Sequence, residues 1–204
     1  MSTRTITTTA TAQRKQTPDR ATVEVIAIGE GDSVSVARTT ARDCATTIRE
    51  SVTAVSADQI RTVNLQAEST AEMFDPATDA AYQATEHLHI ECVPEAAEEV
   101  VVEVTDAGGT VRTVQFSLHE EVHRQLQNEA LTGAMERAQE KAELIAATDG
   151  LYLAGIQNVT TNDVGTGMES IVDEALASGP DTDVCPNPIT ISESVEVTHE
   201  LTED

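Results

Sequence analysis

The spacing of apolar positions changes repeatedly along the chain, and each change marks an element. Thr3 to Ala12 is dense in β-branched residues, and Ala21 to Ile28 is dense in Val and Ile. With Thr17-Pro18-Asp19 as a turn between them, the two runs predict a strand hairpin. Gly29-Glu30-Gly31 reads as the break that ends the second strand, and Asp32 or Ser33 supplies a helix cap. Val34, Ala37, Ala41, Cys44, Ile48, Val52 and Val55 then recur at intervals of three and four, which predicts one stripe on a helix of about six turns. Cys44 falls inside that stripe and reads as a buried, inert thiol. Arg61 to Met73 reads as a strand with Val63, Leu65 and Ala67 on one face, and Phe74 to Asp79 as a loop. The strand Ala81 to Cys92 puts Tyr82, Ala84, Leu88, Ile90 and Cys92 on one face, interrupted by Glu86. His87, His89 and Glu91 take the other face.

Pro94 opens a short helix with Ala97, Val100, Val101 and Val104 on its apolar side, and Gly108-Gly109 closes it. Val114, Phe116 and Leu118 alternate as a strand. A long helix follows, with Leu131, Met135, Ala138, Ala142 and Ile145 predicted inward. Its solvent side carries Glu136, Arg137, Glu140 and Glu143, Gly133 weakens its first turns, and Gly150 stands where a glycine cap belongs. Leu151 to Val159 reads as a strand. The Gly- and Pro-rich stretch from Asn162 to Pro188 reads as an insertion. Within it, Met168, Ile171, Val172, Ala175 and Leu176 mark an amphipathic helix that either packs on its own domain or docks on a neighbouring subunit. Ile189 to Leu201 alternates as a closing strand that joins the main sheet. The expected fold is α+β: a mostly antiparallel β-sheet with helices packed on one face. The expected organisation is one domain over residues 1–204, with the insertion at about 162–188.

Composition narrows the function classes. The 204 residues include 36 Asp+Glu against 12 Lys+Arg, a formal net charge of -24 at pH 7. Lys15 and Lys141 are the two lysines, and the carboxylates are spread along the whole chain. Such a field suits the concentrated cations of a salt-accumulating cytoplasm, which screen like-charge repulsion. An acidic surface aimed at a basic partner would be more local. Nucleic acid is excluded as a partner, because phosphate binding needs clustered Lys and Arg. No apolar run reaches the eighteen or so residues of a membrane span, and Met1-Ser2-Thr3-Arg4 leads into no apolar signal core, so a cytoplasmic location is expected. Cys44, Cys92 and Cys185 have no C-x-x-C spacing, which fits a reducing compartment, and Cys185 in the insertion is the expected exposed thiol.

Two constellations suggest chemistry. His119-Glu120-Glu121-Val122-His123 is a literal H-E-x-x-H, which on a helix turns both histidines toward one Zn²⁺ and lets Glu120 polarise water. The motif nevertheless falls at a strand-to-helix junction. Glu143, the obvious downstream acid, would lie about 30 Å from His123 along a straight helix. On the second constellation, His87, His89 and Glu91 share a strand face and are either solvated side chains or ligands to a metal; Cys92 alternates away from them. There is no G-x-S-x-G, and Gly29-Glu30-Gly31 is too short for a dinucleotide fingerprint.

The order of elements and several local stretches resemble the SIMPL-domain family of bacterial and archaeal proteins. Ile6 to Ala12 followed by Thr17-Pro18-Asp19-Arg20-Ala21 looks like that family's opening strand and Pro-Asp turn. Thr78 to Ile90, centred on Tyr82-Gln83-Ala84, looks like its Tyr-x-Ala strand. Phe116-Ser117-Leu118, Glu129-Ala130-Leu131 and Ala138-Gln139-Glu140-Lys141-Ala142-Glu143 look like its most recognisable stretch, and Pro188-Ile189 to Leu201 like its closing strand. The resemblance covers nearly the whole chain except Asn162 to Cys185. It implies an α+β fold, homo-oligomers, and links to stress tolerance and the cell envelope. It supplies no agreed catalytic residues, and the lack of a visible export signal sets this chain apart from many members.

Together these readings predict a non-enzymatic, self-assembling protein with no cofactor and no catalytic residue. The competing expectation is a zinc hydrolase using His119, Glu120 and His123, which stoichiometric Zn²⁺ lost in His123→Ala would support. A third is a binding module using the loops around Asp75 and Gly165.

Overall fold

The computed structural model describes residues 4–72, 79–162 and 186–203. In chain order its main elements are β1 (Thr5–Gln16), β2 (Arg20–Gly31), α1 (Val34–Ser51), β3 (Ile60–Ser69), β4 (Tyr82–Cys92), α2 (Ala97–Asp106), β5 (Thr110–Ser117), α3 (Glu120–Thr148), β6 (Tyr152–Asn162) and β7 (Ile189–Thr202). The fold is α+β, and every strand pairing described is antiparallel. The strands form two sheets, ordered β1-β7-β6 and β3-β4-β2-β5. Contacts divide the chain into two compact units, one holding β1, α3, β6 and β7, the other β2 to β5 with α1 and α2. The inserted helix expected at Met168 to Leu176, the loops around Asp75 and Gly165, and Cys185 lie outside the described residues.

In the unit of β2 to β5, the expected alternation holds on β4: Ala84, Leu88, Ile90 and Cys92 are buried and Tyr82 is half-buried. Leu88, Ile90 and Cys92 face a core shared with Val23 and Val25 of β2, Ile48 of α1, and Val100 and Val104 of α2, whereas Ala84 and Tyr82 pack with Ala37 and Ala41 of α1. Burial pushes the Cys92 thiol up, which keeps it protonated and unreactive. Ser33 caps α1, its hydroxyl accepting from the Val36 N–H at 3.4 Å. The helix buries Ala37, Ala41, Ala45 and Ile48; Cys44 is only half-buried, its Sγ 3.7 Å from the Gly108 carbonyl. Pro94 begins a 3-10 turn into α2, and Gly108 ends that helix at φ +84°.

Gly29 does not break β2. The strand runs on through Gly31, and its buried row shrinks from Val23 and Val25 to Ala27 and Gly29 as α1 descends on it. Glycine is required there by proximity, because a Cβ would lie 2.1 Å from the Ala41 backbone nitrogen.

In the other unit, β7 is the central strand. The expected β1–β2 hairpin does not form: β1 pairs with β7 over its whole length, from Thr5↔Glu200 to Gln16↔Ile189. β2 is instead a central strand between β4 and β5. β2 thereby has a pairing partner on both sides, and β1 pairs along all twelve of its residues. β7 likewise joins β1 and β6 in a separate sheet, not the larger one. α3 packs on this sheet through Leu126, Ala130, Ala134, Ala138, Ala142 and Ala146, all buried. The expected inward residues Leu131 and Met135 are only partly buried, and Ile145 is exposed. The four-residue alanine repeat wins because it lets the helix approach β1 and β7 closely: Ala134 and Ala138 meet Ala12, Val195 and Val197.

Candidate functional site

The predicted metal stretches take other roles. His119 is the cap residue of α3, at φ -57° and ψ 143°, with its carbonyl accepting from the His123 N–H at 2.9 Å. Only His123 is helical, so the pair does not present the common face that an H-E-x-x-H zinc site needs. Glu120 and Glu121 occupy the first turn, where carboxylates offset the positive end of the helix. On β4, His89 Nε2 lies 3.5 Å from Glu24 Oε1, and Glu91 Oε1 lies 3.9 Å from Arg61 Nη1. His87 shares their face at the next alternate position. Among the described residues, no group of three or more His, Cys, Asp or Glu side chains is placed to hold a metal ion.

A surface depression of about 300 Å³ runs along α3, lined by Glu121, Arg124, Gln125, Asn128, Glu129 and Thr132. All six belong to one helix, and they pair with one another: Gln125 Nε2 donates to Glu129 Oε1 at 3.0 Å, and Arg124 lies 3.9 Å from Glu121. It is a solvated helix face.

Glu86, the interruption in the β4 pattern, is a buried anchor. Its Oε1 accepts from Arg49 Nη2 at 2.8 Å and from the Thr62 hydroxyl at 2.7 Å, tying α1 and β3 to β4. The paired charge and extra hydrogen bond offset the cost of burying a carboxylate.

The two edges of the β1-β7-β6 sheet differ sharply. Leu201 N–H donates to the Arg4 carbonyl, so strand alternation turns the carbonyls of odd-numbered β1 residues to the free side. Three of these are occupied. Lys141 Nζ donates to the Thr9 carbonyl at 3.3 Å, Arg137 Nη1 to Thr11 at 2.8 Å, and Arg14 Nη1 to Gln13 at 3.1 Å. Lys141 and Arg137 stand one helical turn apart on α3, matching the two-residue repeat of an extended strand.

β6 carries no such cover among the described contacts. Its sequence, Tyr-Leu-Ala-Gly-Ile-Gln-Asn-Val-Thr-Thr-Asn, contains no charged residue, although 24% of the chain is charged. Tyr152, Ile156 and Val159 are 59%, 55% and 41% exposed. The register against β7 slips at Ala154 and at Gln157, then runs regularly from Asn158↔Thr198 to Asn162↔Ser194. Sequence reading finds the β6 strand but not the asymmetry of edges, because it assigns Arg137 to solvent. The four-residue spacing of Arg137 and Lys141 opposite a Thr-x-Thr strand is the signal that would have found it.

The model of the family described as SIMPL, protein of unknown function (DUF541), matches residues 6–199. No curated protein matches the chain.

Proposed function

The chain belongs to the SIMPL family, and from that premise we propose that it is a non-enzymatic protein whose function rests on self-assembly. A stress-protective role in a salt-rich cytoplasm is part of this reading, supported by the acidic composition and by the family resemblance. The observation that carries assembly is the β6 edge: eleven uncharged residues with exposed apolar side chains. An edge of this kind, uncovered among the described residues, is a ready template for another strand.

The occupant is a second copy of the chain. Two molecules at -24 each repel over most of their surfaces, and an uncharged strand is where they approach at least electrostatic cost. Antiparallel pairing of two identical β6 strands about a two-fold axis is self-complementary over the regular stretch Asn158 to Asn162. Concentrated salt favours the contact, since the screening length falls to about 3 Å at 1 M.

Light scattering after size exclusion in concentrated KCl tests the reading. The expected mass is a discrete multiple of 21.7 kDa. Thr161 alternates with residues that bond β7, so Thr161→Pro removes an outward N–H and is expected to lower that mass. A wild-type monomer at every concentration would overturn assembly.

A further inference from the structure

We infer that Arg14, Arg137 and Lys141 are the specificity-determining residues of assembly: they close the β1 edge to a second copy and leave β6 as the accepting edge of this sheet. The inference rests on the self-assembly reading for its biological meaning, but its structural content stands on β1 alone.

An incoming strand needs the outward carbonyls of its host as acceptors. At Thr9, Thr11 and Gln13 those acceptors already hold charged donors at 2.8–3.3 Å. A competing strand would have to displace three cations and replace charge-assisted bonds with neutral ones, which are about half as strong. The side chains also stand in the path that the strand would take. Three of the twelve basic residues of a strongly acidic chain are placed on this one edge. Arg14 is held there in addition by Glu129, at 3.7 Å from its Nε.

The guard explains why assembly would close. With β1 open as well, β6 of one copy could add to β1 of the next, a head-to-tail contact that propagates without limit. With β1 shut, this sheet offers one edge and pairs once.

The test compares wild type with the Arg137→Gln/Lys141→Gln double variant by light scattering over a concentration series in concentrated KCl. Circular dichroism verifies folding, and amide hydrogen exchange is followed at Thr9 and Thr11, the two positions whose guards are removed. The double variant is expected to show a mass above wild type that climbs with concentration, with the Thr9 and Thr11 amides newly protected. Arg137→Lys/Lys141→Arg, which keeps the donors, is expected to behave as wild type. A folded double variant with unchanged mass and unprotected β1 amides would overturn the guard. The wild-type mass judges self-assembly separately, so the guard is upheld or lost by the difference between variants, even from a monomeric starting point.

Discussion

Gly29→Ala is the sharpest test of how the larger sheet and α1 are fitted together. The added Cβ would lie 2.1 Å from the Ala41 nitrogen, 2.4 Å from the Ala37 carbonyl oxygen and 2.7 Å from the Ala41 Cα. All three are backbone atoms, so no side chain can swing away. Ordinary contact begins at 3.4 Å, and α1 must retreat by about 1.3 Å at its closest point. A gap of that size forfeits roughly half of the dispersion well for the atoms it separates. Ala37, Ala41 and Ala84, all buried, form the cluster that would loosen. Overpacking alone typically costs about 1–3 kcal/mol, so with the lost contacts the expected destabilisation is about 3 kcal/mol or more. For a chain of this length that is a fall in Tm of about 6–12 °C. Urea unfolding in concentrated KCl, followed by circular dichroism because the chain has no Trp, measures it. Gly108→Ala is the control: its φ is +84° but the site is open, so about 1–2 kcal/mol of backbone strain is expected. A loss below 1 kcal/mol for Gly29→Ala, or no larger than that of Gly108→Ala, would refute the close approach.

Two other substitutions probe buried and exposed polar groups. His199 is 3% exposed, and its Nε2 is buried without a hydrogen-bond partner among the described residues. An unmet buried polar atom costs about 1–3 kcal/mol, so His199→Leu is expected to raise stability by about 1 kcal/mol; a loss of similar size would sink that account. Glu103 accepts from the Thr53 hydroxyl at 2.5 Å and from the Thr53 and Ala54 N–H groups, and these bonds, the hydroxyl first, hold its carboxyl below the usual glutamate value. A depressed pKa stabilises fully above the unfolded value and is lost as pH falls through the folded one. The stability gap between wild type and Glu103→Gln should therefore be present at neutral pH and close on acidification below about 4.5. Urea midpoints at a series of pH values measure it, and a gap that widens in acid would contradict the assignment.

The fold was largely legible because alternation and helical stripes carry most of it. β4, α2 and β7 follow their patterns closely, and the Ser33 cap and the glycine after α3 were readable as residues. What failed were inferences about distance. Gly-x-Gly at 29–31 reads as punctuation, yet it marks contact between a helix and a strand far apart in type but close in space. Leu131, Met135 and Ile145 read as core because they continue the three- and four-residue spacing of Ala138 and Ala142, and of these five only the two alanines are buried. Ala130, Ala134 and Ala146 join them in the core because a row of small residues every four positions lets α3 sit low on the sheet. Pairing was the other weakness. Nothing local in β1 announces that its partner is β7, since adjacency in sequence favours β2 and only the whole sheet decides otherwise. The edge guards escaped for the same reason, being bonds between α3 side chains and a strand more than a hundred residues away.

The pairing of β1 with β7 also sets a timetable for synthesis. β2 to β5 lie together in sequence and can close their sheet while α3 is still being translated. Among the described strands β1 is made before the other six, and its inner edge stays unfilled until β7 follows. During that interval it is a nascent strand with two bare edges, the state in which chains on a polysome pair wrongly with their neighbours. Arg137 and Lys141 are translated before β7. The helix can therefore cover the outer edge of β1 while the inner one is still vacant, and the residues that limit assembly of the finished protein would shield the growing one.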